Sequence, residues 1–598
     1  MSAQRLRQLA IAVVGIGLAL SLASSQFFGS YVQFLVGSLA VTFIVVQAVN
    51  LLAGLCGIWS LGHCAFVAIG AYATANLVAI GCPFELILIF AMVTSGLLGL
   101  VLGLSVGRFS MLYFALLTMA LGMVSTEVIS QWTSVTGGDD GKKVAKAFSI
   151  VWPGSIDSRN AAAVCTLLAT FVYLVGDSLT RGRYGHRWLA IKGQRTASMA
   201  IGLRPVHENA YAFGISAALA SLSGIGLAIS IGFVDPISFK LDSSVTMIVG
   251  TVVGGIGASL GALAGSAFLT AVPELARDAR ALSDFIYGGA IVICLLWLRQ
   301  GIVPAISSAL KNANDRRKIK PVALPHSIDP QAITQLASSL LVPATRPLSL
   351  SNVSLKFDGL SVLDRVTFDI RPGETVGLIG PNGAGKTSLL NVVSGFYKPS
   401  PDSEIRLGTD DVLAKHASGR AALGIGRTFQ HAELFPELTL SQMLMTAAEQ
   451  GTTLRSSRGV AVVDPGMVVE RILDGLNLNQ FADALPAELP FGIQKVADIG
   501  RTLATGSSVI LMDEPYSGLD DQETVELRAV LLGMRQAGVS ILIIDHAVQE
   551  VLSICDKVVV LNFGKLLAMG PPGEIRSSKP VQEAYFGSTA QAGEPMHA

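Results

Sequence analysis

Gly380-Pro381-Asn382-Gly383-Ala384-Gly385-Lys386-Thr387 is the stretch that decides how the second half of this chain folds. It fits G-x-x-x-x-G-K-[ST], the phosphate-binding loop, whose glycine-rich backbone turns several N–H groups toward one set of phosphate oxygens. An apolar run, Thr375 to Ile379, leads into it, and a helix is expected from Lys386 onward. That strand–loop–helix context predicts a nucleotide site lined by Gly380, Pro381, Asn382, Gly383, Ala384, Gly385, Lys386, Thr387 and Ser388. Lys386 is expected to reach the β- and γ-phosphates, and Thr387 to hold Mg²⁺. ATP and Mg²⁺ are therefore the expected cofactors.

Further motifs follow in order. Val509-Ile510-Leu511-Met512-Asp513-Glu514 reads as an apolar strand ending in two acids. Asp513 would organise Mg²⁺ through water, and Glu514 would polarise the attacking water. Two adjacent carboxylates say little alone and much after a phosphate loop. Gln430, in Arg427-Thr428-Phe429-Gln430, is placed to contact Mg²⁺ and to carry coupling. His546 ends the strand Ser540 to Asp545, where a side chain would reach a γ-phosphate; in isolation it would read as a surface or core histidine. Ser517-Gly518-Leu519-Asp520 has the position of a loop between nucleotide sites.

The other half is of a different kind. The chain has 598 residues, too many for one domain, and 43 basic against 43 acidic residues, so there is no global electrostatic case for nucleic acid. Between Arg7 and Arg108 the only formally charged side chain is Glu85, a composition from which no water-soluble surface can be built. A bilayer core takes about 20 apolar residues per helix. Candidate spans run roughly over 9–28, 31–55, 61–81, 84–107, 110–131, 160–180, 208–232, 243–273 and 284–299. The start, with Arg5 and Arg7 before an apolar run and small residues near Ala23 to Ser25, has features of a signal peptide. Because more apolar spans follow at once, an uncleaved first transmembrane helix is preferred. The six cysteines are scattered, with no C-x-x-C, and read as small core residues rather than as a metal site or disulfide framework.

Basic residues favour the cytoplasm. Arg5 and Arg7 place the start inside, and Arg108 and Arg181 follow after four and six crossings. Arg181 to His207 is the most basic loop of this half, with no acid. Lys142, Lys143 and Lys146 fall in a loop this count places outside, a mild conflict. An ATP-binding half must face the cytoplasm, so the chain must cross an even number of times between the basic loop and Arg299, yet three apolar runs are visible. The run 243–273 is too long for one ordinary span and is interrupted by Gly254-Gly255-Ile256-Gly257. Two half-helices around that break would restore parity, and such breaks commonly line a cavity. One long tilted helix with a further span elsewhere is the other reading. Of the polar residues at membrane depth, His63 reads either as functional or as a helix-to-helix hydrogen bond; Asn76 and Glu127 are the others. Gly96, Gly99, Gly103 and Gly107 read as a packing face.

Residues 306–345 change character: Lys311, Arg316, Arg317, Lys318 and Lys320, then a Pro-, Ala- and Ser-containing stretch. This reads as a tether whose basic end rests on anionic membrane lipids. The expected organisation is a polytopic α-helical membrane domain (1–305), the linker, an α/β nucleotide-binding domain (346–590) and a disordered tail (591–598).

The order of phosphate loop, Gln430, Leu489-Pro490-Phe491-Gly492-Ile493-Gln494-Lys495, Asp513-Glu514, Asp520 and His546 resembles an ABC transporter ATPase over about residues 348–587. The 489–495 segment departs from the common L-S-G-G-Q signature, with Pro490 for the serine and Phe491 for the first glycine, a variation found in the branched-chain amino acid branch. The resemblance implies that Leu489, Gly492, Gln494 and Asp520 contact nucleotide, that N–H groups around Gly492 substitute for the missing hydroxyl, and that Phe357 stacks on adenine. Ala584-Tyr585-Phe586-Gly587 is also similar to this branch. The first half resembles the matching permeases through Ser60-Leu61-Gly62-His63-Cys64-Ala65-Phe66, Gly70-Ala71-Tyr72, Tyr113 to Thr118, Thr136-Gly137-Gly138, Gly182-Arg183-Tyr184-Gly185, Ala197 to Leu203 and Gly254 to Gly257. In such permeases the basic loop holding Ala197 and Gly202 is similar to the coupling helix that docks near the glutamine loop.

The resemblance implies a fused permease–ATPase subunit of a multi-pass bacterial inner-membrane importer, taking up branched-chain or other hydrophobic amino acids as its small-molecule substrate. Urea or short-amide import is the main alternative; a fused exporter is the rival class, opposed by the permease motifs. A second copy or a paralogous permease–ATPase pair and a periplasmic substrate-binding protein are the implied partners, with no nucleic acid.

Overall fold

The structure is a computed structural model that describes residues 3–23, 29–106, 111–151, 155–156, 160–277, 282–298, 300–314, 330–340, 345–357, 359–457 and 462–586. The basic residues Arg108, Arg299, Arg316, Arg317, Lys318 and Lys320, Gly587 and the expected tail 591–598 lie outside them. The chain divides into two compact units, one of Met1–Trp188 with Pro205–Lys318, the other of Leu189–Arg204 with Ile319–Ala598.

Helices up to the linker are α1 (Ala3–Ala23), α2 (Ser30–Cys56), α3 (His63–Ala79), α4 (Phe84–Gly103), α5 (Met111–Gln131), α6 (Ala161–Arg181), α7 (Arg183–Gly193) and α8 (Arg195–Ala200). They continue with α9 (Pro205–Ile231), α10 (Leu241–Gly254), α11 (Ser259–Ala276), α12 (Ser283–Trp297), α13 (Ile302–Asn314) and α14 (Pro330–Leu340). By length and composition α2, α4, α5, α6, α9 and α11 can each cross a membrane; α1, α3, α10 and α12 are apolar and shorter. The chain is a membrane protein on this composition.

The apolar run 243–273 is two helices, α10 and α11, separated by residues 255–258. Gly255 and Gly257 have φ of +115° and +91°, a region glycine enters without steric cost. A Cβ on Gly254 would overlap the Gly261 carbonyl, and one on Gly265 the Gly250 carbonyl, so the two helices pack backbone to backbone. Helix α2 closes the break: Asn50 Nδ2 donates to Ala258 O at 2.9 Å and Gly257 N–H donates to Asn50 Oδ1 at 2.8 Å. Gln47 Nε2 donates to Ser259 Oγ at 2.9 Å. A single long helix is thereby set aside, and the apolar segments become even in number between the basic stretch and residue 299.

Other polar groups at membrane depth resolve simply. His63 Nε2 shares a hydrogen bond of 2.8 Å with Ser216 Oγ of α9, and that hydroxyl donates to Ala48 O at 2.7 Å. His63 thus links helices, amid the rings of Phe66 and Phe213. Gly99 and Gly103 lie against Ala217, Phe213 and Ala210 of α9, the packing face their spacing suggests; Gly107 lies outside the described residues. Lys142 donates to Asn76 Oδ1 at 2.5 Å, and the Lys142-Lys143 backbone pairs antiparallel with Phe233-Val234. Glu127 accepts from Gln131 on the exposed surface of its own helix.

In the second unit the strands are β1 (Leu348–Phe357), β2 (Leu360–Ile370), β3 (Thr375–Ile379), β4 (Glu404–Leu407), β5 (Asp410–Asp411), β6 (Ile425–Arg427), β7 (Val509–Asp513), β8 (Ser540–Ile544), β9 (Lys557–Asn562) and β10 (Lys565–Gly570). A six-stranded sheet has the order β6-β7-β8-β3-β9-β10, parallel except for its last pair, and an antiparallel sheet has the order β2-β1-β4-β5. Strands β3, β7 and β8 are buried along their whole length. Near-continuous apolar runs of this kind belong to parallel sheets covered on both faces.

The tether is more structured than its composition suggests. Helix α14 belongs to the second unit, with Ile333, Leu336 and Leu340 buried. Their spacing of three and four residues makes one helical face, diluted in the sequence by the Ala, Ser and Gln residues between them. The basic loop is likewise largely helical, as α7 and α8.

Candidate functional site: a nucleotide pocket at the strand ends

Pairing registers set Leu378 of β3 beside Ile544 of β8, and Ile544 beside Asp513 of β7. The phosphate loop, the two acids and His546 therefore leave the sheet at one edge, the carboxyl ends of adjacent parallel strands. Ligands bind there in open α/β sheets.

Beyond β3 the chain turns through the loop into α15 (Lys386–Ser394). Gly385, at φ +96°, would set a Cβ 2.8 Å from Val362 O. Gly383, at φ +79°, faces open space. A side chain there would occupy the cradle in which phosphate oxygens would lie. Lys386 is buried, and its Nζ donates to Gly380 O at 2.7 Å and Pro381 O at 3.1 Å. Burial lowers its pKa, opposed by the charges of Glu514 and Asp513. Asn382 and Thr387 are exposed on the same loop, and Ser388 is half-buried.

Asp513 is buried, with Oδ2 accepting from Arg427 Nη2 at 3.2 Å and Oδ1 having no hydrogen-bond partner. Burial raises its pKa, and Arg427 pulls it back. Arg427 also donates to Asn391 Oδ1 (2.7 Å) and Ser394 Oγ (3.0 Å), so this guanidinium ties β7 to the helix after the phosphate loop. An orphaned carboxylate oxygen beside an open glycine cradle and an exposed threonine hydroxyl fits a hydrated cation carried with a triphosphate.

Glu514 has φ +48°, uncommon for a residue with a side chain. Its N–H donates to Ile544 O at 2.7 Å. Oε2 accepts from Gln430 Nε2 at 2.7 Å, and Oε1 lies 3.1 Å from His546 Nε2. Three side chains expected from the sequence to act together thus converge, Gln430 reaching a carboxylate 84 residues further along the chain and His546 reaching the same group from the next strand. Gln430 and His546 are exposed beside the largely buried Glu514.

Beyond α16 (Ala417–Leu423) and α17 (Leu440–Ser457), the 489–495 segment leads into α18 (Phe491–Ala504). Pro490 stands as N-cap of α18 without a side-chain cap, so the first N–H groups, including that of Gly492, are free of a cap bond. Leu489 is buried. Gln494 turns back, donating to Pro486 O (3.2 Å) and Leu489 O (2.9 Å), so its amide is engaged within the segment. The ring of Phe491 lies against Gly518. Asp520 caps α19 (Asp521–Gln536) by accepting from Glu523 N–H at 2.7 Å. Phe357 ends β1 exposed, its ring edge-on to Tyr397 at 5.2 Å.

Two features carry little sequence signal. Asp498 of α18 accepts from Phe429 N–H at 3.0 Å and from fully buried Arg501 at 2.5 Å. Arg501 also donates to Arg427 O (3.2 Å) and to Ala197 O of α8 (3.4 Å). Residues 189–204 are further held by Lys192 to Glu437 at 2.7 Å and by Gly193 against Pro436. The basic stretch therefore lies against the segment that follows Gln430. A buried Asp–Arg pair three residues apart on a helix looks in sequence like any surface pair.

A family model described as the branched-chain amino acid transport system permease component matches residues 30–295, and one described as ABC transporter matches residues 363–517. The high-affinity branched-chain amino acid transport ATP-binding protein BraF of Pseudomonas aeruginosa is 33% identical over 253 residues, covering 41% of this chain and 99% of that protein. This chain belongs to the branched-chain amino acid ABC transporter family. Permease and ATP-binding parts are joined in one polypeptide. The counterpart LivG of Salmonella typhimurium is 33% identical over 258 residues, covering 40% of this chain and 97% of LivG. A solved ATP-binding cassette of an ABC transporter, in its ADP conformation, is 28% identical and covers 41% of this chain and all of that one, with a TM-score of 0.36. The ABC transporter described here thus carries an ATP-hydrolysing domain that binds ATP.

Proposed function

We propose that this chain imports branched-chain or other hydrophobic amino acids across the bacterial inner membrane, powered by its own ATPase domain in the cytoplasm. The observation that carries the proposal is the permease match over residues 30–295 in the same chain as the converged Gln430–Glu514–His546 site. BraF and LivG serve branched-chain amino acid transport by name.

Bound ATP with Mg²⁺ supplies the phosphoanhydride whose cleavage drives the cycle. The protein's part is positioning. The glycine backbone at 380–385 would cradle the phosphates, and Lys386, held by loop carbonyls, would be the cation that meets them. Thr387 and Asp513, with Gln430, would hold the Mg²⁺ that comes with the nucleotide. Among the described residues no cluster of three or more His, Cys, Asp or Glu side chains forms a metal site. The cation would therefore be completed by water and nucleotide oxygens, the usual habit of Mg²⁺. Glu514 accepts a proton from the attacking water, with Gln430 and His546 holding its two oxygens in place. Phe357 offers its exposed face to adenine. The uncapped start of α18 around Gly492 and the exposed Asp520 form the surface offered to nucleotide in a second cassette, from another copy or a paralogous permease–ATPase pair, while buried Leu489 and the turned-back Gln494 hold that segment in shape. A periplasmic binding protein delivers the amino acid.

The test is uptake. Vesicles holding the full assembly, supplied with ATP inside and the binding protein outside, are expected to accumulate labelled leucine over labelled urea. Preferential urea uptake would assign the short-amide reading, and no accumulation of either would reject import.

A further inference from the structure

Lys495 is a residue to which neither the motif pattern nor the proposed chemistry gives a task. It lies one turn into α18, buried, and its Nζ donates to the backbone oxygen of Gln430 at 2.7 Å and to that of Glu514 at 2.9 Å. Its ammonium also lies 5.6 Å from the centre of the Phe491 ring. One cation therefore touches the backbones of two residues whose side chains meet at 2.7 Å.

The contact on Glu514 falls where it has most effect. With φ at +48°, Glu514 sits in a sparsely populated conformation that persists only when its surroundings over-determine it. Its N–H is bound by Ile544 O of β8, and its C=O by Lys495. The two peptide groups flanking the carboxylate are thus fixed from opposite sides, one by the sheet and one by α18. Gln430 has no regular strand or helix of its own to hold it, and Lys495 supplies a backbone anchor. The charge is expensive to bury, and the carboxylates of Asp545, Asp498, Glu514 and Asp513 offset that cost.

We infer that Lys495 is a positioning residue for ATP hydrolysis: it sets the Gln430 and Glu514 backbones in register and ties both to α18, whose first turn carries Phe491 and Gly492. A rotation of α18 would then be felt at the hydrolytic carboxylate of the same domain. Lys495 acts through the two residues it holds. The inference rests on the assignment of Glu514 and Gln430 to the chemical step.

The test uses the full assembly in lipid vesicles and reads ATPase kcat, KM for ATP and retained nucleotide without any cargo, so that failure of the import proposal leaves the result readable. Lys495→Met keeps the length of the side chain and loses both hydrogen bonds. It is expected to lower kcat about tenfold or more while KM and ATP binding stay within about twofold. Lys495→Arg can donate to two carbonyls and is expected to recover much of the rate. Unchanged kcat in Lys495→Met, an equal loss in kcat and ATP binding, or no recovery in Lys495→Arg would overturn the inference. If Lys495→Met does not accumulate, Lys495→Gln is read in the same way; failure of both to fold marks a purely structural cation and also overturns it. A Glu514→Gln variant run in parallel separates the premise from the inference: rapid hydrolysis by that variant would reject the role of Glu514 itself.

Discussion

Gln430 Nε2 donates to Glu514 Oε2 at 2.7 Å, joining the loop that follows β6 to the residue that follows β7. The bond matters because those segments are held by different supports. Gln430 follows Phe429, whose N–H is bound by Asp498, whereas Glu514 is pinned to β8 through Ile544. A shift of the segment near Gln430 would therefore change the setting of the carboxylate.

Glu514→Gln preserves the shape of the side chain and removes its capacity to take a proton. Turnover is expected to fall by about 10²-fold or more, the usual scale for a positioned general base, with ATP retained on the protein. Single-turnover hydrolysis alongside a filter-binding assay checks it, and rapid hydrolysis would reject the assignment.

Arg427→Met should expose the electrostatics of Asp513. Burial raises the Asp513 pKa and Arg427 lowers it, so removal of the guanidinium raises it further. A carboxylate with a raised folded-state pKa contributes stability below its unfolded pKa and loses it as pH rises through the folded value. The variant should therefore be most destabilised at neutral and higher pH, by about 3–5 kcal/mol for an uncompensated buried charge, and less so in acid. The acid limb of its ATPase pH profile should move to higher pH. Melting temperatures at pH 5 and pH 8, with rates over the same range, decide this; an equal loss of stability at both pH values would contradict it.

Asn50→Leu should loosen the glycine break. It leaves the Gly257 N–H and the Ala258 carbonyl without their side-chain partner, at a cost of about 1–3 kcal/mol. Asn50→Asp keeps the acceptor but buries a carboxylate with one oxygen against the Ala258 carbonyl, so a loss at least as large is expected. Thermal unfolding of the detergent-solubilised protein measures both. Equal stability of Asn50→Leu and the parent protein would show that the backbone packing of α10 on α11 suffices alone.

Much of this site is legible in the sequence because its parts are local. A phosphate loop is eight consecutive residues, and the acids at 513–514 close a five-residue apolar strand. The glycine break is legible for the same reason, since crossing parity and four adjacent residues both point at it. What is not legible depends on distant segments meeting. Nothing around Asn50 says that it will bridge residues 257 and 258, and Lys495 is one charge in a variable signature until the fold carries Gln430 and Glu514 to it. Helix α14 escapes because its apolar face is only three residues, set in a composition that also describes a tether. Gln494 stands one place beyond the signature's glutamine position, which Ile493 fills, and the carbonyls of Pro486 and Leu489 engage its amide.

The docking of the basic stretch is tested by a charge exchange. Lys192 meets Glu437 at 2.7 Å with both side chains partly exposed, so the pair contributes at most about 1 kcal/mol to stability. Lys192→Glu should leave the fold intact while placing two like charges together where the stretch meets the segment beyond Gln430. If the contact transmits motion, substrate moved per ATP should fall about two- to fivefold, with less change in ATPase rate; like-charge contacts of this size cost on the order of 1 kcal/mol. Glu437→Lys alone should behave similarly. The double exchange restores opposite charges and should recover coupling, because attraction depends on the signs of the pair and not on which side carries which. Uptake and ATP hydrolysis measured in the same vesicles give the ratio directly. Recovery in the double variant identifies the pair itself as the contact, whereas additive losses would mean that each residue acts through a different neighbour.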